Sequence, residues 1–237
     1  MPRGKHKMDL IENINDAENH WYYKHKYFYI SKYLKLFSKG NAKINDVGAG
    51  SAVFSKKLLQ EKIVKTVVAS DINYEKELKQ KIINMEFSKN PVAANIYLLT
   101  DVLEHLANPK ILLDSILEIA PKDAILIITV PAHKSLWSGH DVYLKHYRRY
   151  SISSLRTLMS SVDVKEYHIQ YLFTSLYLPV YIYRKITKNK VESQLKNRNF
   201  YVENIIDSIL KIERKLNWKF PFGISIIAIY KFNNKKN

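Results

Sequence analysis

Asp101, Glu104 and His105 stand at i, i+3 and i+4. On a helix that spacing sets three polar heads side by side. Two carboxylates and an imidazole so placed can do one of two jobs. Asp101 can cap the helix with Glu104 as its N3 partner, a capping box. Alternatively, hard oxygens and one ring nitrogen can hold a divalent cation such as Mg2+, which lowers the pKa of a substrate hydroxyl. A second group runs from 133 to 150 and contains Trp137, His140, Asp141, His146, Arg148 and Arg149. His140 beside Asp141 suits a general base oriented by a carboxylate, although sequence neighbours often point apart. Arg148 and Arg149 suit either a substrate phosphate or a solvated basic turn.

A third group is Asp46-Val47-Gly48-Ala49-Gly50-Ser51-Ala52. In a chain with only six glycines, two in one turn point to close backbone approach by a ligand or to a tight connection. Asp71 closes the following apolar run, where a carboxylate can accept both hydroxyls of a ribose or simply cap a helix. Together the two features suggest a nucleoside-bearing cofactor.

The elements that must carry these residues follow from the apolar pattern. Residues 42–47, 66–69 and 95–99 are expected as strands, and 53–59 as a helix with Ser51 as N-cap. Asp101 is expected to open a helix. A further helix covers 109–119, with Leu112, Ile116 and Ile119 on one face. The unbroken apolar run 124–130 is expected as a strand covered on both sides. Strand–helix alternation implies an α/β fold with a doubly wound, mostly parallel sheet. Beyond it come a helix at 153–160, a strand at 164–170, a mostly helical stretch at 172–216 and a last strand at 223–230. Helices are also expected at 9–37 and 75–84, and a frayed tail from 233.

Six segments in order then resemble the class I S-adenosylmethionine-dependent methyltransferases. They are HWYY (20–23), INDVGAGSA (44–52), ASDIN (69–73), TDVLEHLANP (100–109), ITVPAHKSLWSGHDVYLKHYRRY (128–150) and FPFGISIIAIYK (220–231). The chain is similar to the small-molecule group that includes ubiquinone-biosynthesis and polysaccharide-cluster enzymes. The resemblance implies one Rossmann-like domain over 1–237, with an antiparallel last strand. Its parts would be a helical lid at 1–40, a cofactor core at 41–171, a helical insertion at 172–219 and the last strand at 220–232. It implies S-adenosylmethionine as cofactor, with Asp46, Gly48 and Gly50 around its methionine and adenosine parts. Asp71 would hold the ribose and Ile72 would pack on adenine. Thr100, Asp101, Val102 and Leu103 would line the far side. Trp21, Tyr22, Trp137, Arg148 and Arg149 are candidates to meet the acceptor, and His140 and His105 to take its proton. Asp101, Glu104 and His105 match an acidic-x-x-Glu-His pattern seen with a bound cation in some relatives, so Mg2+ is the expected ion. Three departures stand out. Ala52 replaces a third glycine, the span from 71 to 95 is short for a full strand and helix, and no acid is evident for the adenine amino group.

Composition sets the bounds. With no cysteine there is no disulfide, thiolate nucleophile or Cys-based metal site. The 38 basic against 22 acidic residues give +16. That field favours phosphates and anionic lipid, and it is also what drift toward Lys-rich composition produces. No arginine-rich arm or aromatic RNA-binding signature accompanies it. The first 19 residues are polar, unlike a signal peptide, and the apolar run 171–183 is too short to span a bilayer, so a cytoplasmic, membrane-peripheral location is expected. Residues 172–186, aromatic with Arg184 and Lys185 behind, suit a membrane interface. The competing reading packs them inside, against the apolar face of Ile205, Ile209, Ile212 and Leu216. The expected function is methyl transfer to an oxygen of a small-molecule or lipid-linked acceptor. The charge keeps RNA methylation as the first alternative, and Ala52 with the short middle keeps an inactive cofactor-binding partner subunit as the second.

Overall fold

The computed structural model describes residues 20–38, 42–74, 84–187, 200–216 and 220–233. The helix expected at 75–84, the start of the helix at 9–37 and the tail therefore lie largely outside the described residues. Seven strands form one sheet in the order β3-β2-β1-β4-β5-β7-β6. They are β1 (Ile44–Val47), β2 (Val67–Ser70), β3 (Met85–Ser88), β4 (Ile96–Thr100), β5 (Ile125–Pro131), β6 (Val164–Leu172) and β7 (Ser225–Phe232). The first five pair in parallel, and β7 runs antiparallel to both of its neighbours. The chain winds one way from β1 to β3 and then crosses back to β4. This leaves a switch point between β1 and β4, where such sheets bind ligands at the carboxyl ends of their strands.

Helices cover both faces. The helices are α1 (Trp21–Phe37), α2 (Val53–Gln60), α3 (Pro109–Ile119), α4 (Gly139–Tyr143), α5 (Ile152–Met159), α6 (Tyr177–Ile186) and α7 (Phe200–Leu216). On one face Leu113 and Ile116 of α3 and Leu155 and Met159 of α5 pack against alternate residues of β4, β5 and β7. On the other, Ile30 and Leu34 of α1, Leu58 of α2 and Leu210 of α7 meet the intervening residues. Every residue of β5 is buried, as a strand sandwiched between two helical layers must be.

Three local expectations are corrected. The third strand is present: Met85–Ser88 pairs with β2 over four residues, too short and too polar to show by periodicity. Ser51 does not cap α2; Ala52 does, in the left-handed region at φ 56° with no side-chain bond. Asp101 does not open a helix. It is left-handed at φ 55°, a single 3-10 turn covers Leu103–His105, and α3 starts at Pro109 under an Asn108 cap.

Candidate active site

Four non-glycine residues with left-handed backbone mark one edge of the sheet. Ala52, Asp101, His133 and Phe173 each follow the carboxyl end of a strand, β1, β4, β5 and β6 respectively. Such conformations cost of order 1–3 kcal/mol each and persist where the surrounding structure imposes them, commonly at functional sites. The candidate groups lie along this same edge.

The glycine turn is held at the switch point. The N–H groups of Gly48 and Ala49 both donate to the Ser70 carbonyl, at 2.7 and 3.1 Å, so the turn is tied to the end of β2. Gly48 has φ +73°, and a Cβ there would come within 2.7 Å of a Val102 methyl. The position is closed to side chains on both counts. Asp46 is buried beneath the turn and accepts from Ser55 Oγ at 2.6 Å. Asp71 stands opposite, with Oδ2 accepting from the Gly50 N–H at 3.1 Å and Oδ1 from the backbone and side-chain nitrogens of Asn73. Ile72 is 74% exposed, an apolar side chain left uncovered beside that carboxylate. A glycine cradle, a carboxylate over it and a bare aliphatic platform are the donor set that a methionine-linked adenosine needs. Of the expected far wall, Thr100 and Val102 are half-buried, while Leu103 is turned wholly into the core.

On the other side of Asp101 the first helix closes in. Tyr22 Oη donates to Asp101 Oδ2 at 2.9 Å, and Lys26 Nζ bonds both that oxygen and the Tyr22 hydroxyl. Thr129 donates to Oδ1 at 3.3 Å. Burial pushes the Asp101 carboxyl up, but the Lys26 ammonium and its hydrogen bonds outweigh it, so the pair is ionised. Lys26 is fully buried, and sequence reasoning missed it. Its signal was positional: Lys26 stands on the face of Ile30, Tyr33 and Leu34, where the helical pattern calls for an apolar residue. Trp21 and Tyr22 both pack on Phe173 at 5.9 Å between ring centroids. The aromatic start of α1 therefore docks the helix and also roofs the edge of the sheet.

Asp101, Glu104 and His105 do not converge. The Asp101 carboxylate turns to Lys26, whereas Glu104 and His105 come together with His146, their ligand atoms within 4.8 Å of one another. Neither Glu104 oxygen has a hydrogen-bond partner among the described residues, and the carboxyl is buried. Burial and the nearby Asp101 charge raise its pKa well above the ordinary value. The cation site expected from Asp101, Glu104 and His105 is thus not assembled. The Asp101 carboxylate lies with Lys26, and His146 takes the third place beside Glu104 and His105.

The Asp141 carboxylate finds a histidine five residues on. His146 Nδ1 lies 2.9 Å from Oδ1, Arg149 Nε donates to the same oxygen at 2.7 Å, and the Ser138 N–H donates to Oδ2 at 3.0 Å. Burial opposes ionisation of Asp141, but His146, Arg149 and Arg184 overcome it and hold the carboxyl far below the usual range. The His105 and His146 rings meet edge to face at 4.6 Å. Burial and its neighbour His146 lower the His105 pKa to about 4. Burial and then Arg184 do the same for His140, also to about 4. Both imidazoles are neutral near pH 7. Arg148 donates to the carbonyls of Leu106 and Ala107, and Arg149 to Asp141 and the Ala132 carbonyl. These arginines brace the loop from inside. Trp137 is half-buried at the end of the Lys134–Leu136 turn.

With this geometry in view, comparison with known proteins is specific at the level of family. The profile of a methyltransferase-domain family matches residues 20–166, well over half the chain. No curated protein matches it in sequence. Several solved structures share the fold. The N-methyltransferase NodS from Bradyrhizobium japonicum, bound to S-adenosyl-L-homocysteine, superposes with a TM-score of 0.54 at 10% identity, covering 97% of this chain and 100% of its own. The plantazolicin methyltransferase BpumL, also with S-adenosylhomocysteine, gives 0.58 at 13% identity, with coverages of 95% and 90%. The 1,6-didemethyltoxoflavin-N1-methyltransferase from Burkholderia thailandensis gives 0.57 at 14%, with coverages of 96% and 87%. At these identities the likeness is one of fold. The chain belongs to the methyltransferase-domain family, with the class I Rossmann-like architecture. It is an S-adenosylmethionine-dependent methyltransferase.

Proposed function

We propose that the chain transfers a methyl group to an oxygen of a small-molecule or lipid-linked acceptor, with His146 taking the acceptor's proton. The observation that carries this reading is the Asp141–His146 contact at 2.9 Å, in the loop after β5, two strands along the sheet from the glycine cradle after β1. The bound donor supplies a methyl already activated on a positively charged sulfur. The chain must add alignment, exclusion of water and a home for one proton.

Gly48, Gly50, Asp71 and Ile72 would hold the donor, as set out above. An acceptor hydroxyl then presents its oxygen to the methyl carbon; the new C–O bond forms as the C–S bond breaks, and the hydroxyl proton leaves. A carboxylate at His146 Nδ1 orients the ring and would stabilise the imidazolium formed when it takes the proton. His105, in edge contact, and Glu104, without a hydrogen-bond partner among the described residues, complete a buried polar wall beside it. Tyr22 and Trp21 on α1 would shield the reacting groups from water. Support for oxygen over nitrogen is this base: an amine acceptor already neutral would need none for attack.

The test has two arms. Chain incubated with cell extract and methyl-labelled S-adenosylmethionine should label a small or lipid-extractable product, unaffected by ribonuclease. Label confined to RNA would replace this reading with the alternative that the +16 charge motivates. With the product's acceptor in hand, His146→Ala should lower kcat by roughly 10²–10⁴-fold while leaving donor affinity unchanged. An unchanged kcat would remove His146 from the chemistry.

A further inference from the structure

Helix α7 carries apolar side chains on two sides, and only one of them is used. Toward the protein, Leu210 is buried, Asp207 pairs with Lys24 and His25 of α1, and Glu213 accepts from the N–H groups of Thr174 and Ser175. Turned away from that side run Val202, Ile205, Ile209, Ile212 and Leu216, between 38% and 59% exposed. Helix α6 repeats the pattern, for Leu178, Ile182 and Ile186 at i, i+4 and i+8 are all more than half exposed. The internal packing expected between 172–186 and α7 is made in part: Leu172, Phe173 and Leu176 share a core with Leu210, while the stripe of Ile205, Ile209, Ile212 and Leu216 stays out of it. Scattered apolar side chains on a surface are ordinary, but stripes along two helices are not.

Cations border these stripes. Exposed Lys185 lies in the last turn of α6, and Arg214 and exposed Lys215 in that of α7, while Arg184 turns inward to Asp141. From residue 177 to 216 the sequence holds nine Lys and Arg against four Asp and Glu, within a chain of +16. An apolar stripe edged by cations complements an anionic lipid surface, where the stripe enters the acyl boundary and the cations meet the headgroups. A second copy of the same chain would bring like charges together instead. No described helix is long and apolar enough to cross a membrane, so the fit is to helices lying in the interface. Helix α6 also touches the acceptor loop. Arg184 donates to the Leu136 carbonyl, and the Tyr177 hydroxyl lies 3.3 Å from Ser135 Oγ.

We infer that α6 and α7 dock this protein on an anionic membrane surface, with α6 placed to pass a lipid-borne acceptor to the loop of residues 133–150. The docking itself does not depend on the catalytic reading, because it can be measured without donor or acceptor.

The full chain is sedimented with phosphatidylcholine vesicles, with and without phosphatidylglycerol, at low and high salt. Binding to the anionic vesicles should be at least about tenfold tighter and should weaken with salt. Ile182→Ser, Ile205→Ser and Ile212→Ser combined should lower it by more than about tenfold. Lys185→Glu with Lys215→Glu should remove the preference for anionic lipid. All these positions are exposed, and circular dichroism of each variant checks that it keeps the wild-type fold. Equal binding to neutral and anionic vesicles, unchanged binding by the apolar triple variant, or no binding would overturn the inference. So would a dimer in lipid-free ultracentrifugation that the triple variant dissolves, since the stripes would then be a self-interface. A chain that binds vesicles yet fails to bind S-adenosylmethionine would keep this inference and overturn the catalytic one.

Discussion

Glu104 is buried with neither carboxyl oxygen partnered among the described residues, and burial and the Asp101 charge raise its pKa. A folded pKa raised above the ordinary 4.5 has a definite consequence for stability. The contribution is complete below 4.5 and is lost as pH rises toward the folded value, because the unfolded chain ionises first. Glu104→Gln keeps the shape and cannot titrate. Thermal unfolding from pH 5 to pH 9 should show the wild type falling more steeply than this variant, and parallel curves would show Glu104 to be charged in the fold. The motifs around this residue were legible in sequence, but the partner choices were not. The i, i+3, i+4 spacing of Asp101, Glu104 and His105 assumes a helix, and the left-handed backbone at Asp101 breaks it. The carboxylate of Asp141 was read beside its neighbour His140, yet the turn after α4 delivers His146 to it. One residue of backbone left-handedness, or one short turn, redirects a side chain, and neither leaves an apolar pattern to read.

At the scale of elements, α1 is the piece that closes the active edge, and Lys26 is its anchor. Its ammonium is fully covered, while a quarter of the Asp101 side chain stays exposed. Removing one partner of a buried pair leaves a charge without compensation, which costs about 3–5 kcal/mol when both are dry. The partial exposure of Asp101 puts Lys26→Met at the lower end, about 3 kcal/mol in urea unfolding. Lys26→Met with Asp101→Asn should recover part of that loss, since no ion is then stranded. A loss under about 0.5 kcal/mol for the single variant would show the pair to be solvated. The strands were the most legible elements, because β2, β4, β5 and β7 are nearly continuous apolar runs and the glycine turn marks the end of β1. Strand β3 escaped notice, with Glu86 in its middle exposed and only four residues to pair. For α7 the apolar stripe was legible, but not its direction. Periodicity shows that Ile205, Ile209, Ile212 and Leu216 share a face, and says nothing of whether protein or another phase covers it.

For the molecule as a whole, the winding of the sheet decides where chemistry can occur. The order β3-β2-β1-β4-β5-β7-β6 brings the glycine turn, Asp71, Asp101 and the loop after β5 to one edge, although they are spread over a hundred residues of sequence. The same winding puts α6 beside that loop, so the proposed lipid surface and the proposed methyl-transfer site share one end of the protein. The family and this layout rest on segments visible in the sequence, because glycine turns and buried strands are dictated locally. The acceptor rests on side chains that meet only in the fold.

The central claim is that S-adenosylmethionine lies across the carboxyl ends of β1 and β2 with its ribose on Asp71. Titration calorimetry of S-adenosylhomocysteine into wild type and Asp71→Asn tests it, with thermal unfolding as the check on folding. The account predicts one site per chain in the wild type and at least about tenfold weaker binding in the variant, as loss of hydrogen bonds to a charged acceptor requires. Equal affinity in the two proteins, or no binding by the wild type, would contradict it.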